Sequence, residues 1–275
     1  MSIKPSDSSS ALPASTSFFK MYFCGLLPKE FILKRLFPAL LIIQAMAMLV
    51  ADLVFPTPFD WRYMAISALG YPDDNPSGFW IMSVGGVCLS VLLIPAIGFI
   101  YRHLRVICPG AAGLGMIFAS IGVVGLILTS VLVGSTILGG RTHENLALIA
   151  FAGFLFGLFI WGFPLIKDRM PRYNGKKQFD FRVMRIAFTM IWAIIIGMAT
   201  CLALNEVVYG NVPGLGSVDI SWIDPNNPDF VMPMPSWASF AMWEWLLYWG
   251  MLIYFMLLVV MIPPTVEPLL PRTKK

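Results

Sequence analysis

Three carboxylates fall inside or at the edge of long apolar runs: Asp52, Glu206 and Glu244. A lone carboxylate at mid-membrane costs about 2.5–3.5 kcal/mol on insertion scales, so such a group usually faces a partner or a water-filled cavity. Asp52 stands one turn before the end of the first apolar run, and Glu206 is equally near the end of the fifth, beside Asn205. For these two, solvation at the headgroup boundary is an equal alternative. Glu244 lies deeper in the sixth run, between Trp243 and Trp245, and is the preferred site residue. Arg62 and Arg141 sit in short connections at the same level as the three acids. A guanidinium stays charged, and its fork holds a carboxylate through two bonds. One of the two arginines is therefore expected to pair with Asp52, Glu206 or Glu244.

Ser67, Asn75 and His143 complete the candidate ligand-binding set. Ser67 has no base adjacent in sequence, which leaves a nucleophile role without its partner. His143 lies in Arg141-Thr142-His143-Glu144, where a solvated loop histidine is the commoner outcome. His103 falls on the opposite side of the membrane, so the two histidines cannot share a metal. Cys24, Cys88, Cys108 and Cys201 show no ligand spacing. GxSxG, P-loop, dinucleotide and HExxH motifs are absent. The chain is thus expected to carry no catalytic set, no metal and no cofactor.

The elements that must position these residues are transmembrane helices. Of 275 residues 58% are hydrophobic and only 12% charged, with a mean hydropathy of +0.77; soluble domains carry roughly 25% charged residues. The apolar residues fall into blocks long enough to cross about 30 Å of hydrocarbon. Six spans are predicted, at 36–55, 79–101, 112–138, 146–166, 183–208 and 237–262, giving an all-α polytopic bundle over 36–263. Pro95 is expected to bend the second span. Residues 1–16, rich in Ser and Pro, are expected to be disordered. Residues 17–35 mix Phe and Leu with Lys and Arg, as a segment lying in the headgroup region does. Residues 264–275 form a short tail.

Charge orients the bundle. With the amino terminus inside, all of the 19 Lys and Arg except Arg62 and Arg141 are cytoplasmic, far more bias than an orientation requires. Both termini are therefore expected inside, in the cell membrane, or the inner membrane if the source is bacterial. The net charge of +4 follows this topology and is no sign of nucleic-acid binding. The last external loop, 209–236, lacks Lys and Arg, and its length makes it a candidate lid. Six tryptophans cluster on that side (Trp61, Trp80, Trp222, Trp237, Trp243, Trp245) as an interfacial belt. No inverted repeat of the transporter kind is apparent. Glycine-rich spans three and four, with Gly153-x-x-x-Gly157, nominate a close-packing helix face.

The run Ser67-Ala68-Leu69-Gly70, followed by Asn75-Pro76 and a span ending in Tyr101-Arg102-His103-Leu104-Arg105, resembles the bacterial domain-of-unknown-function 998 family. That family is similar in turn to the six-span Frag/DRAM/Sfk membrane proteins. The resemblance implies six helices, a first outer loop with an S-x-L-G…N-P signature, and no established activity.

Three functions follow in order of support. The first is a non-catalytic protein whose outer-leaflet polar pocket binds a lipid or small amphiphile, as a sensor or scaffold. The second is a small-molecule or proton-coupled transporter using the membrane acids; only Pro95 interrupts a span, where a transporter calls for paired broken helices. The third is a lipid-modifying enzyme using an outer acid with His143, for which no nucleophile–base set is evident. Membrane lipid is the expected partner. A second copy or a membrane partner is expected on the glycine-rich third and fourth spans.

Overall fold

A computed structural model of the chain describes residues 17–133, 142–168, 179, 181–209 and 239–266, without the side chains of 144, 181 and 201–209. The expectations for the tail 1–16, the 209–236 lid and Arg141 fall outside the described residues. The helices are α1 (Phe18–Phe23), α2 (Lys29–Phe31), α3 (Phe37–Leu53), α4 (Ile66–Leu69), α5 (Phe79–Leu104), α6 (Pro109–Val131), α7 (Thr142–Asp168), α8 (Phe181–Tyr209) and α9 (Phe240–Met261). Among the described residues six stretches are long and apolar enough to cross a membrane: Lys29–Leu53, Phe79–Leu104, Pro109–Val131, Asn145–Asp168, Arg182–Thr200 and Phe240–Met261. The chain is an all-helical multi-pass bundle, as the apolar blocks predict.

The first crossing helix begins at Lys29 rather than at Leu36. A π-turn over Ile32–Leu36 joins α2 to α3, just ahead of Pro38, which cannot donate to the carbonyl one turn back and crowds it. Lys29 holds this start in place, its Nζ donating at 2.7 Å to both the Val260 and Ile262 carbonyls at the end of α9. These carbonyls carry the partial negative charge of a helix terminus, which favours a cation. Ahead of it, α1 leaves Phe18, Phe19 and Phe23 exposed. Gly25 then reverses the chain at a φ of 62°, tight against Gly98 of α5, where a Cβ would strike the Gly98 backbone. The third span ends its helix at Val131, short of the predicted Leu138, and α5 runs unbroken through Pro95.

Among the described residues the most extensive helix pairing is α6 with α7. A Cβ on Gly153 would lie 2.5 Å from the Gly122 nitrogen, and one on Gly157 2.9 Å from the Ala119 nitrogen. Small residues let these backbones meet without any hydrophobic driving force. The Gly153/Gly157 face is thus occupied inside the chain, and a second copy would have to use other faces of these helices. Trp161 is fully buried in the same pair, with its indole N–H on the Ala112 carbonyl at 3.1 Å. Helix α8 packs chiefly on α9, with Gly197 under the Trp243 ring.

Candidate functional site

The connection between α3 and α5, residues 54–78, folds over one end of the bundle. Its hub is Asn75, which has no exposed surface. The Asn75 amide nitrogen donates to the carbonyls of Ala51 and Leu69, each at 3.0 Å, while its oxygen accepts the Gly78 N–H at 3.0 Å. One side chain therefore ties the end of α3, the end of α4 and the start of α5 together. Ile66 and Leu69, three apart on α4, are both buried and form a small core with Met48 and Ala51 of α3.

Helix α4 starts at Ala65, which has no side-chain cap of its own. Glu244 of α9 supplies one from a distant part of the chain: its Oε2 accepts the Ile66 N–H at 3.1 Å. The Ser67 hydroxyl is the carboxyl's second donor. A carboxyl at a helix start satisfies N–H groups that have no partner within the helix. One residue along, the Trp245 indole N–H donates to the Met64 carbonyl at 3.1 Å. Together these bonds fasten α4 onto α9.

Beneath α4 lies a cavity of about 100 Å³. Its wall combines Gln44 of α3, Ser67, Ser83 and Gly86 of α5, Thr129 and Ser130 of α6, His143 of α7, and Glu244 and Tyr248 of α9. Apolar surface from Ile66, Met82, Leu126 and Phe151 fills in between. Gly86 belongs there because a Cβ would collide with Ser130 Oγ. Gln44 is only 1% exposed, and its Oε1 has no hydrogen-bond partner among the described residues. His143 donates one ring N–H to the Thr129 carbonyl, and its Nδ1 has no partner among the described residues. In a neutral ring that Nδ1 is an acceptor.

Three predicted site residues, Ser67, His143 and Glu244, thus meet at one cavity. The others do not. Asp52 is exposed at the end of α3. Asn75 is a buried hub outside the cavity wall. The side chain of Glu206 and all of Arg141 lie outside the described residues. The Arg62 guanidinium binds neither Asp52 nor Glu244 but Asp60, with Nη2 at 2.6 Å and Nε at 2.8 Å from the carboxylate, which leaves the expected pairing to Arg141, outside the described residues. A partner two residues away in the same exposed turn requires no long reach and no desolvation, so the local pair forms. It holds the Asp60 carboxyl below the usual carboxylate range. Asp74 shifts the other way, raised by burial and then by the neighbouring charge of Asp73.

Gln44, Thr129 and Tyr248 were not anticipated. Gln44 had a readable signal, an amide in the middle of an otherwise apolar run. Thr129 had none, because Ser and Thr hydroxyls in membrane helices commonly bond their own backbone, and Tyr248 stood as one more aromatic residue of an aromatic-rich run. The chain matches no protein-family model, no curated protein and no solved structure. Function is therefore read from the cavity itself.

Proposed function

We propose that this multi-pass membrane protein is non-catalytic and uses the cavity under α4 to bind the polar head of a lipid or small amphiphile, as a sensor or scaffold. The observation that carries it is that two residues of one cavity wall, Gln44 and His143, each have an acceptor, Oε1 and Nδ1, without a partner among the described residues. A buried polar atom without a partner costs about 1–3 kcal/mol, and a ligand that donates to both removes that cost. The apolar remainder of the wall suits the first carbons of a chain. The cavity lies at the end of the bundle that charge placement assigns to the outer leaflet, with both termini cytoplasmic. Membership of the domain-of-unknown-function 998 family is part of the same proposal, since the Ser67–Gly70 and Asn75-Pro76 text builds the cover of the cavity.

Native mass spectrometry of gently extracted protein tests the binding. Wild type should carry an adduct that is lost when Ala147→Phe fills the cavity and weakened by Gln44→Leu. Wild type free of any adduct, or an adduct retained equally by both variants, would refute it. The orientation is tested separately: a reporter fused after Lys275 should function only if it is one that works in the cytoplasm. A cysteine placed next to Asn75 should be labelled from outside the cell.

A further inference from the structure

We propose that the head group held in the cavity is a protonated primary amine, R–NH3+, an inference that rests on the binding function above and adds its chemical class. Four of the wall's hydroxyls and its imidazole N–H already donate to protein acceptors. The Ser83, Thr129 and Ser130 hydroxyls donate to the Phe79, Gly125 and Leu126 carbonyls, at 3.1, 2.8 and 2.8 Å. The Ser67 hydroxyl is taken by Glu244 and the His143 N–H by the Thr129 carbonyl. Of the wall residues, Gln44 Oε1 and His143 Nδ1 have no hydrogen-bond partner among the described residues, and Glu244 adds a carboxyl. An ammonium brings three N–H donors and no acceptor, one for each.

Charge points the same way. Glu244 is 8% exposed, and among the described residues no Lys or Arg lines the cavity. Lys34 pairs with Glu30 and Arg62 with Asp60, both away from the cavity. A buried carboxylate without a cation is strongly destabilising, and an ammonium ligand provides the missing charge. A phosphate or carboxylate head would instead face a carboxyl and two lone pairs with no cation to offset them. An alcohol can make the hydrogen bonds one at a time but brings no charge. The ammonium can belong to a long-chain amphiphile or to a small free amine; the chemistry at the wall is the same.

The test is calorimetric titration of the full chain in phosphatidylcholine nanodiscs, with empty nanodiscs as the partition control. The probes are decylamine, decanol, decanoate and propylamine. Decylamine should bind saturably and at least tenfold more tightly than decanol, since charge-assisted hydrogen bonds are roughly twice as strong as neutral ones. Decanoate should not bind. Glu244→Gln should weaken decylamine about tenfold or more and leave decanol unchanged. Should that variant fail to fold, Gln44→Leu should still weaken decylamine, whereas Gln44→Glu should bind it at least as tightly as wild type. Propylamine matching decylamine identifies a free small amine as the source, and a clear preference for decylamine identifies an amphiphile. Decanol binding as tightly as decylamine, or Glu244→Gln without effect on decylamine, would overturn the amine while leaving the binding function standing. If no probe binds and wild type also carries no native adduct, both fall together.

Discussion

Asn75→Ala is the perturbation with the most clearly defined structural consequence. The substitution deletes three buried hydrogen bonds and leaves the Ala51 and Leu69 carbonyls without their side-chain donor, while the Gly78 N–H keeps the Asn75 backbone carbonyl at 3.1 Å. Each bond contributes about 0.5–1.5 kcal/mol net, and each buried group left unpaired costs about 1–3 kcal/mol. Water will reach some of these groups at the end of the bundle, so the total loss should be about 3 kcal/mol. For a chain of this size that is roughly 6–12 °C in Tm, at roughly 2–4 °C per kcal/mol. Asn75→Asp should be no better, because it keeps an acceptor for Gly78 but presents oxygen to two carbonyls. Asp73→Ala, an exposed neighbour in the same turn, serves as control and should stay within about 0.5 kcal/mol. Thermal unfolding in a mild detergent, followed by intrinsic tryptophan fluorescence, compares the three. If Asn75→Ala unfolds with Asp73→Ala, the connection is not held by Asn75 and the cover of the cavity is not the ordered unit described.

Gly153→Ala should cost much of the folded yield, because its Cβ would meet the Gly122 backbone at 2.5 Å, whereas Gly113→Ala, with nothing within 4 Å, should be tolerated; size-exclusion profiles after extraction separate the two outcomes. Lys29→Met should lower stability by about 1.5–3 kcal/mol per charged hydrogen bond at most, through loss of its bonds to Val260 and Ile262, and should free the start of the first crossing helix to limited proteolysis. Asp74 has a folded pKa raised by burial, so the folded state binds its proton more readily than the unfolded chain. Its ionised form therefore costs stability above that raised pKa, and the cost disappears as pH falls towards the unfolded value of about 3.9. Asp74→Asn should accordingly raise Tm at pH 7 and lose its advantage near pH 4, measured as the difference between two melting series.

Much of the fold was legible because a membrane helix announces itself by length and composition alone. The start at Lys29 was not, since the signal at 17–35 is a mixture of charge and aromatic residues, and only the bond from Lys29 to the end of α9 shows that part of it belongs to the first crossing helix. Ile66 and Leu69 were legible as a buried turn from their spacing. In the site, Glu244 stood out by depth, and Ser67 and His143 by type, but their convergence was not readable. Periodicity shows which residues share a helix face; it does not say which faces meet around one cavity. The pairing of Arg62 was not legible for a related reason. Counting cations against distant acids overlooked Asp60, two residues away, where a pair forms without ordering anything else.

The central claim, that the cavity between Glu244, His143 and Gln44 holds a ligand by its donors, is tested most directly by a structure determined in lipid nanodiscs with a rigid antibody fragment bound. Continuous non-protein density should extend from the cavity towards lipid, with its polar end within hydrogen-bond distance of Gln44 Oε1, His143 Nδ1 and the Glu244 carboxyl. A cavity closed by side-chain rearrangement, with Gln44 Oε1 and His143 Nδ1 bonded to protein groups and no ligand density between them, would contradict it.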